Sequence, residues 1–136
     1  MDLIQLAEKA RQNAYAPYSG YTVGAALLSA DGTVSVGCNV ENASYGATLC
    51  AERVAIARAV ADGKREFVAI AIVGGEAGRA PDTFFSPCGI CRQVLREFCR
   101  ADFRVLIGRG EEIVRHTLVE LLPNSFSSDA MRGIEP

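Results

Sequence analysis

Phe67-Val68-Ala69-Ile70-Ala71-Ile72-Val73 is an unbroken apolar run with no polar residue to turn toward water. A strand wetted on one face alternates, so this run predicts a strand buried on both faces. A sheet containing such a strand must be covered on both sides. The flanking sequence supplies the cover. Cys50 to Asp62 is alanine-rich, with Val54, Ile56, Ala57 and Val60 among its apolar positions, and predicts a buried helix ended by Gly63. Downstream, Gly74 to Ser86 reads as loop and Cys88 to Cys99 as a second helix with Pro87 just before it. Arg104 to Gly108 reads as another strand, and Ile113 to Leu122 as a short strand and then a short helix. Pro123-Asn124-Ser125-Phe126 opens an irregular tail.

The N-terminal part follows the same logic. Leu3, Ile4, Leu6, Ala7, Ala10 and Ala14 recur at helical spacing, and Pro17 and Gly20 end that pattern. Tyr21 to Ala30 is an apolar strand, Asp31-Gly32 a two-residue turn, and Thr33 to Cys38 the return strand of a hairpin. Asn39 to Thr48 is a loop holding Asn39, Glu41, Asn42 and Ser44, and loops on a rigid scaffold often carry binding groups. A hairpin followed by strands alternating with helices predicts an α/β fold with a mixed sheet between helical layers.

The length of 136 residues suits one domain, spanning 1–136, and a hydrophobic content of 49 % supports a real core. With 14 basic and 16 acidic residues the net charge is −2, which gives no long-range attraction to nucleic acid or an anionic membrane. A small, weakly charged ligand fits better. No run reaches the length of a membrane span, and Met1-Asp2-Leu3-Ile4-Gln5 lacks the basic-then-apolar pattern of a secretion signal. Five cysteines, an odd number, argue against a disulfide framework and for a reducing compartment, with the cytoplasm as the expectation.

Three of those cysteines lie in Thr48-Leu49-Cys50-Ala51-Glu52-Arg53 and Ser86-Pro87-Cys88-Gly89-Ile90-Cys91-Arg92. Three thiolates can hold a zinc ion and leave its fourth position open for water. Glu52 is then placed to handle that water's protons. Cys88 and Cys91, three residues apart, share a helix face, and both segments start a helix, where the dipole lowers a thiol's pKa. Cys50 and Glu52 are separated by about 200° on a regular helix, so they meet at one metal only beyond the helix end, in the first turn, a condition that a helix starting at Cys50 satisfies. Arg53 reads either as a solvated charge or as a donor to a ligand sulfur, and Arg92 has the same two readings. Other readings remain open: Cys88 and Cys91 as a redox pair, or the cysteines as half of a structural zinc site. Cys38 and Cys99 read as small core residues, and His116, the sole histidine, as a surface or packing residue.

The Cys-x-Glu and Pro-Cys-x-x-Cys spacing resembles that of zinc-dependent nucleobase deaminases. Further stretches narrow the resemblance to the small homotetrameric cytidine deaminases. These are Tyr15-Ala16-Pro17-Tyr18-Ser19, Val23-Gly24-Ala25-Ala26-Leu27-Leu28, the run from Gly37 to Gly46 with Asn39-Val40-Glu41-Asn42 at its centre, and Leu121-Leu122-Pro123-Asn124-Ser125-Phe126. The resemblance implies a three-layer α-β-α sandwich with a mixed five-stranded sheet and one zinc per chain held by Cys50, Cys88 and Cys91. It implies Glu52 as the proton shuttle. Asn39 and Glu41 would bind the ribose hydroxyls, with Tyr21 (phenylalanine in most of the family) and Ala51 also at the substrate. Ala43, Tyr45 and Phe126 match positions that reach a neighbouring subunit's active site in a homotetramer. The implied reaction is hydrolysis of cytidine and 2′-deoxycytidine to the uridine forms, a step of pyrimidine salvage. A deaminase of another aminated substrate, such as blasticidin S, and a non-catalytic zinc-stabilised binding module are the alternatives.

Overall fold

The computed structural model describes residues 1–133. Its centre is a five-stranded sheet in the order β2-β1-β3-β4-β5, with β1 Tyr21–Ser29, β2 Val34–Cys38, β3 Phe67–Glu76, β4 Arg104–Arg109 and β5 Glu112–Thr117. Only β3 and β4 pair in parallel; β1–β2, β1–β3 and β4–β5 are antiparallel, so the sheet is mixed as expected. Every residue of β3 is buried except Val68 and Glu76, which fits its unbroken apolar run.

Successive residues of these strands face opposite layers. Ala26, Ala71 and Val73 pack with Ala7, and Leu3, Ile4 and Leu6 border that cluster, under α1 (Leu3–Ala10). Ala25, Leu27, Ile70, Ile72, Val105 and Ile107 pack on the other side with Ala51, Ala55, Ile56 and Leu95 of α2 (Ala51–Ala61) and α3 (Gly89–Phe98). Each fully buried aliphatic side chain contributes about 1.5–3 kcal/mol. The three-layer arrangement follows directly. α1 begins at a capping box, Asp2 Oδ1 accepting from Gln5 N at 2.9 Å and Gln5 Oε1 from Asp2 N at 3.0 Å. A Cβ on Gly24 would lie 1.9 Å from the Ala7 carbonyl oxygen, so α1 sits on β1 at a distance only glycine permits.

Three details depart from the sequence reading. The β1–β2 turn is a three-residue loop, Ala30 to Gly32, closed by Ser29 N donating to Thr33 O at 2.9 Å, with Gly32 at φ +89°. Asp31 braces it by accepting from Thr33 N and Oγ1, which favours this loop over the tighter turn. The second is β3, which continues through Gly74 and Gly75 to Glu76, because those residues still pair with Val23, Thr22 and Tyr21. Lastly, the tail carries a helical turn, α5 (Ser128–Met131), beyond the short α4 (Leu118–Leu121), with the Ser127 hydroxyl accepting from Asp129 N at 3.2 Å.

Candidate active site

The loop from Asn39 to Cys50 is pinned at both ends. Val40 and Leu49 exchange backbone hydrogen bonds of 2.9 Å, so the chain enters α2 extended. Cys50 is the residue before the first turn, at φ −73° and ψ 154°, and Glu52 is the second helical residue. That extended backbone removes the rotation a helix would impose between them, and both side chains line one cavity of about 260 Å³. Cys88 occupies the equivalent position before α3, at φ −67° and ψ 169°, and Cys91 lies buried in its first turn.

The three sulfurs converge. Sγ of Cys88 is 3.9 Å from Sγ of Cys50 and 3.6 Å from Sγ of Cys91, and all three lie within 4.8 Å of one another. Sulfurs bound at about 2.3 Å to a tetrahedral zinc stand about 3.8 Å apart, so the donor set fits zinc in both chemistry and spacing. Among the described residues no other His, Cys, Asp or Glu side chain joins this set, and His116 instead faces Glu120 at 3.5 Å.

The electrostatics favour a thiolate at Cys50. Cys50 is held low, to about 5, first by the Cys91 thiol donating to it and then by Arg53. Cys91 keeps its proton well above the ordinary thiol range, because it serves the Cys50 sulfur and is buried. Arg53 Nη2 donates to Cys50 Sγ at 3.7 Å and to the Thr48 carbonyl at 2.9 Å. Cys50 and Cys88 each sit at a helix N-terminus, whose positive potential favours a thiolate. Glu52 is only 4 % exposed, and burial, with the Cys50 charge adding to it, raises its carboxyl to about 7. A carboxyl poised near neutrality is suited to both accepting and returning a proton.

The sequence profile described as "Cytidine and deoxycytidylate deaminase zinc-binding region" matches residues 1–107. The chain belongs to this deaminase family. It is 48 % identical over 130 residues to a cytidine deaminase of Halalkalibacterium halodurans, covering 95 % of each chain. It is 48 % identical over 128 residues to that of Sporosarcina psychrophila, covering 93 % of this chain and 90 % of the relative. The crystal structure of cytidine deaminase from Burkholderia pseudomallei superposes with a TM-score of 0.83 at 46 % identity, covering 91 % of this chain and 96 % of that one.

With the family established, the remaining expected positions fall into two groups. Tyr21, Asn39, Glu41 and Ala51 line the same cavity as Cys50, Glu52 and Cys88. Asn39 is largely committed to the scaffold: Oδ1 accepts from Val23 N at 2.8 Å and Nδ2 donates to Tyr21 O at 2.9 Å. Glu41 Oε1 accepts from the Tyr18 and Ser19 amides at 2.9 and 3.0 Å. Hydrogen bonding from Ser19 keeps that carboxyl below its usual range. Ala43, Tyr45 and Phe126 do not reach the cavity of their own chain; Tyr45 is 75 % and Phe126 66 % exposed.

The structure adds residues that the sequence reading passed over. Phe85 and Ser86 wall the cavity, and the Phe85 ring stands 5.9 Å from that of Tyr21. A Cβ on Gly74 would lie 2.7 Å from Phe85 Cγ, so the glycine is absent of side chain where the ring must go. The signal was Gly74, which read as the start of a loop and is in fact the seat of the Phe85 ring; its neighbour Gly75 instead faces Arg11 and Pro81. Arg92 is neither a solvated charge nor a sulfur donor: among the described residues its side-chain hydrogen bonds all run to oxygen. Cys99, the residue that ends α3, is buried in the core.

Proposed function

We propose that this chain is a zinc-dependent cytidine deaminase, converting cytidine and 2′-deoxycytidine to uridine and 2′-deoxyuridine with release of ammonia. The observation that carries the reading is the buried Glu52 carboxyl opening on the same 260 Å³ cavity as Cys50 and Cys88. Cys50, Cys88 and Cys91 would hold the metal, and three donors without a fourth among the described residues support a catalytic rather than a structural site. Zinc, when bound, supplies the Lewis acidity that brings the pKa of water toward neutrality.

The remaining work belongs to side chains of this protein. Glu52 accepts one proton from water and delivers it to N3 of the pyrimidine while the water oxygen bonds C4. It then takes the second proton of that water to the exocyclic amine, the C4–N bond breaks, and ammonia leaves with C4 as a carbonyl. Arg53 draws charge from the Cys50 sulfur. The Glu41 carboxylate, which lines the cavity, and the spare hydrogen-bonding capacity of Asn39 suit ribose hydroxyls, and Tyr21 with Phe85 offers an apolar slot for the base. The whole segment 1–136 would act as one domain.

The family resemblance places Ala43, Tyr45 and Phe126 at a neighbour's site in a homotetramer, and their exposure on this chain leaves them available for that role. The five free cysteines support a reducing compartment such as the cytoplasm, and the reaction itself would serve pyrimidine salvage.

An absorbance assay on the zinc-loaded protein tests this, with cytidine, 2′-deoxycytidine, cytosine and blasticidin S side by side. Turnover of both nucleosides is expected. Exclusive turnover of blasticidin S, or none of any substrate with zinc bound, would refute it.

A further inference from the structure

Arg92 lies one residue beyond Cys91 and spans two distant pieces of chain. Its Nε donates to the Pro87 carbonyl at 2.7 Å and its Nη2 to Ser86 Oγ at 2.9 Å. Its Nη1 donates to the Leu121 carbonyl at 2.6 Å. Ser86 and Pro87 are the two residues immediately before Cys88, and Pro87 is fully buried. The Arg92 backbone N–H meanwhile donates to the Cys88 carbonyl at 3.0 Å. One residue thus fixes the chain on both sides of the Cys88 Cα. Further along α3, Gln93 Nε2 donates to the Phe126 carbonyl at 2.9 Å, and Arg96 to Ser125 Oγ at 3.0 Å and Asp129 Oδ2 at 3.3 Å. Those contacts hold the C-terminal segment and leave Ser86 and Pro87 alone.

We infer that Arg92 is a positioning residue for the metal centre. It sets the direction of the Cys88 sulfur through the Ser86–Pro87 backbone, and it locks that turn to the segment leading to Phe126. It differs from Arg53, which reaches a sulfur directly; Arg92 acts through geometry and not through charge on the thiolates. A planar guanidinium serves three acceptors in fixed directions at once, which an ammonium on a flexible stem does not. Groups that orient a ligand in this way commonly change metal affinity by about 10–100-fold when removed. The inference rests on the proposed role of Cys88 as a ligand.

Zinc affinity of the full chain, measured by competition with a chromophoric chelator, tests it on Arg92→Gln, Arg92→Lys, Ser86→Ala and Arg96→Gln, each checked for folding by circular dichroism and urea unfolding. Arg92→Gln and Arg92→Lys should both weaken zinc by about 10–100-fold, and Ser86→Ala by less. Arg96→Gln should lower stability and keep wild-type affinity, since it serves only the tail. Wild-type affinity in Arg92→Lys, or an equal loss in Arg96→Gln, would overturn the inference. Should Arg92→Gln fail to fold, Arg92→Lys and Ser86→Ala decide by the same criteria. A wild-type chain that binds no zinc would instead bring down the proposed metal site itself.

Discussion

Adding one methyl group at Gly37 should damage the active site from behind. Gly37 lies on β2 under the start of α2, and a Cβ there would sit 2.5 Å from both the Ala51 carbonyl oxygen and the Ala55 amide nitrogen. Both are backbone atoms, so no side chain can swing aside. Reaching 3.4 Å, where ordinary contact begins, requires α2 to lift by about 0.9 Å. Overpacking of this kind costs about 1–3 kcal/mol, or a fall in Tm of about 4 °C per kcal/mol for a domain of this size. Ala51 stands between Cys50 and Glu52, so the lifted turn carries both. A misplacement near 1 Å can cost about 100-fold in rate. Gly24→Ala is the internal comparison, because its Cβ would meet Ala7 O at 1.9 Å and push α1, on the face away from the metal centre. Thermal unfolding, zinc competition and kcat/KM on both variants separate the effects. Gly37→Ala should lose rate and zinc affinity well beyond its unfolded fraction, whereas Gly24→Ala should lose more stability and keep zinc affinity in its folded fraction. A Gly37→Ala protein with wild-type Tm and kcat/KM would refute the claim that α2 is seated by that glycine.

Glu52→Gln should fold, keep its zinc and lose about 10²–10⁴-fold in kcat, as read by nucleoside turnover and metal analysis on one sample; full activity would exclude the proton shuttle. Cys88→Ala should lose zinc together with activity, and normal zinc content measured under reducing conditions would remove Cys88 from the ligand set; about one zinc per wild-type chain would also exclude a redox role for Cys88 and Cys91. Asp31 is held well below its ordinary 3.8 by the Lys64 ammonium at 2.6 Å and by Thr33. Its folded-state pKa being the lower, its contribution is present above about pH 4 and is lost as pH falls toward the folded-state value. Asp31→Asn should therefore flatten the acid limb of a Tm-against-pH curve below pH 4 relative to wild type, and identical acid limbs would contradict the pairing.

Local chemistry made the frame legible in the sequence. The run from Phe67 to Val73 could be satisfied only by burial on both faces, and the structure buries it so, apart from Val68. Cys50, Cys88 and Cys91 announced themselves by residue type and spacing, since few side chains bind zinc and fewer do so three apart at a helix start. Cys50 had to lie at the very start of α2 to share a cavity with Glu52; the structure goes one residue further and leaves Cys50 extended just outside the helix.

What the sequence could not convey depends on contacts between residues distant along the chain. Gly74 and Gly75 look like a strand ending until the Phe85 ring is seen filling the space above Gly74, and Arg11 and Pro81 the space above Gly75. Arg92 looks like a charge beside a thiolate until Pro87 and Leu121 are found on its two sides. Asn39 looks free to bind a ligand, yet its amide braces the β1 backbone at Tyr21 and Val23. Periodicity and ligand spacing are properties of neighbours in the chain, and the amino-acid order alone settles them. Which distant group fills a glycine's gap or accepts from a guanidinium is settled only once the sheet and its two helical layers have closed around it.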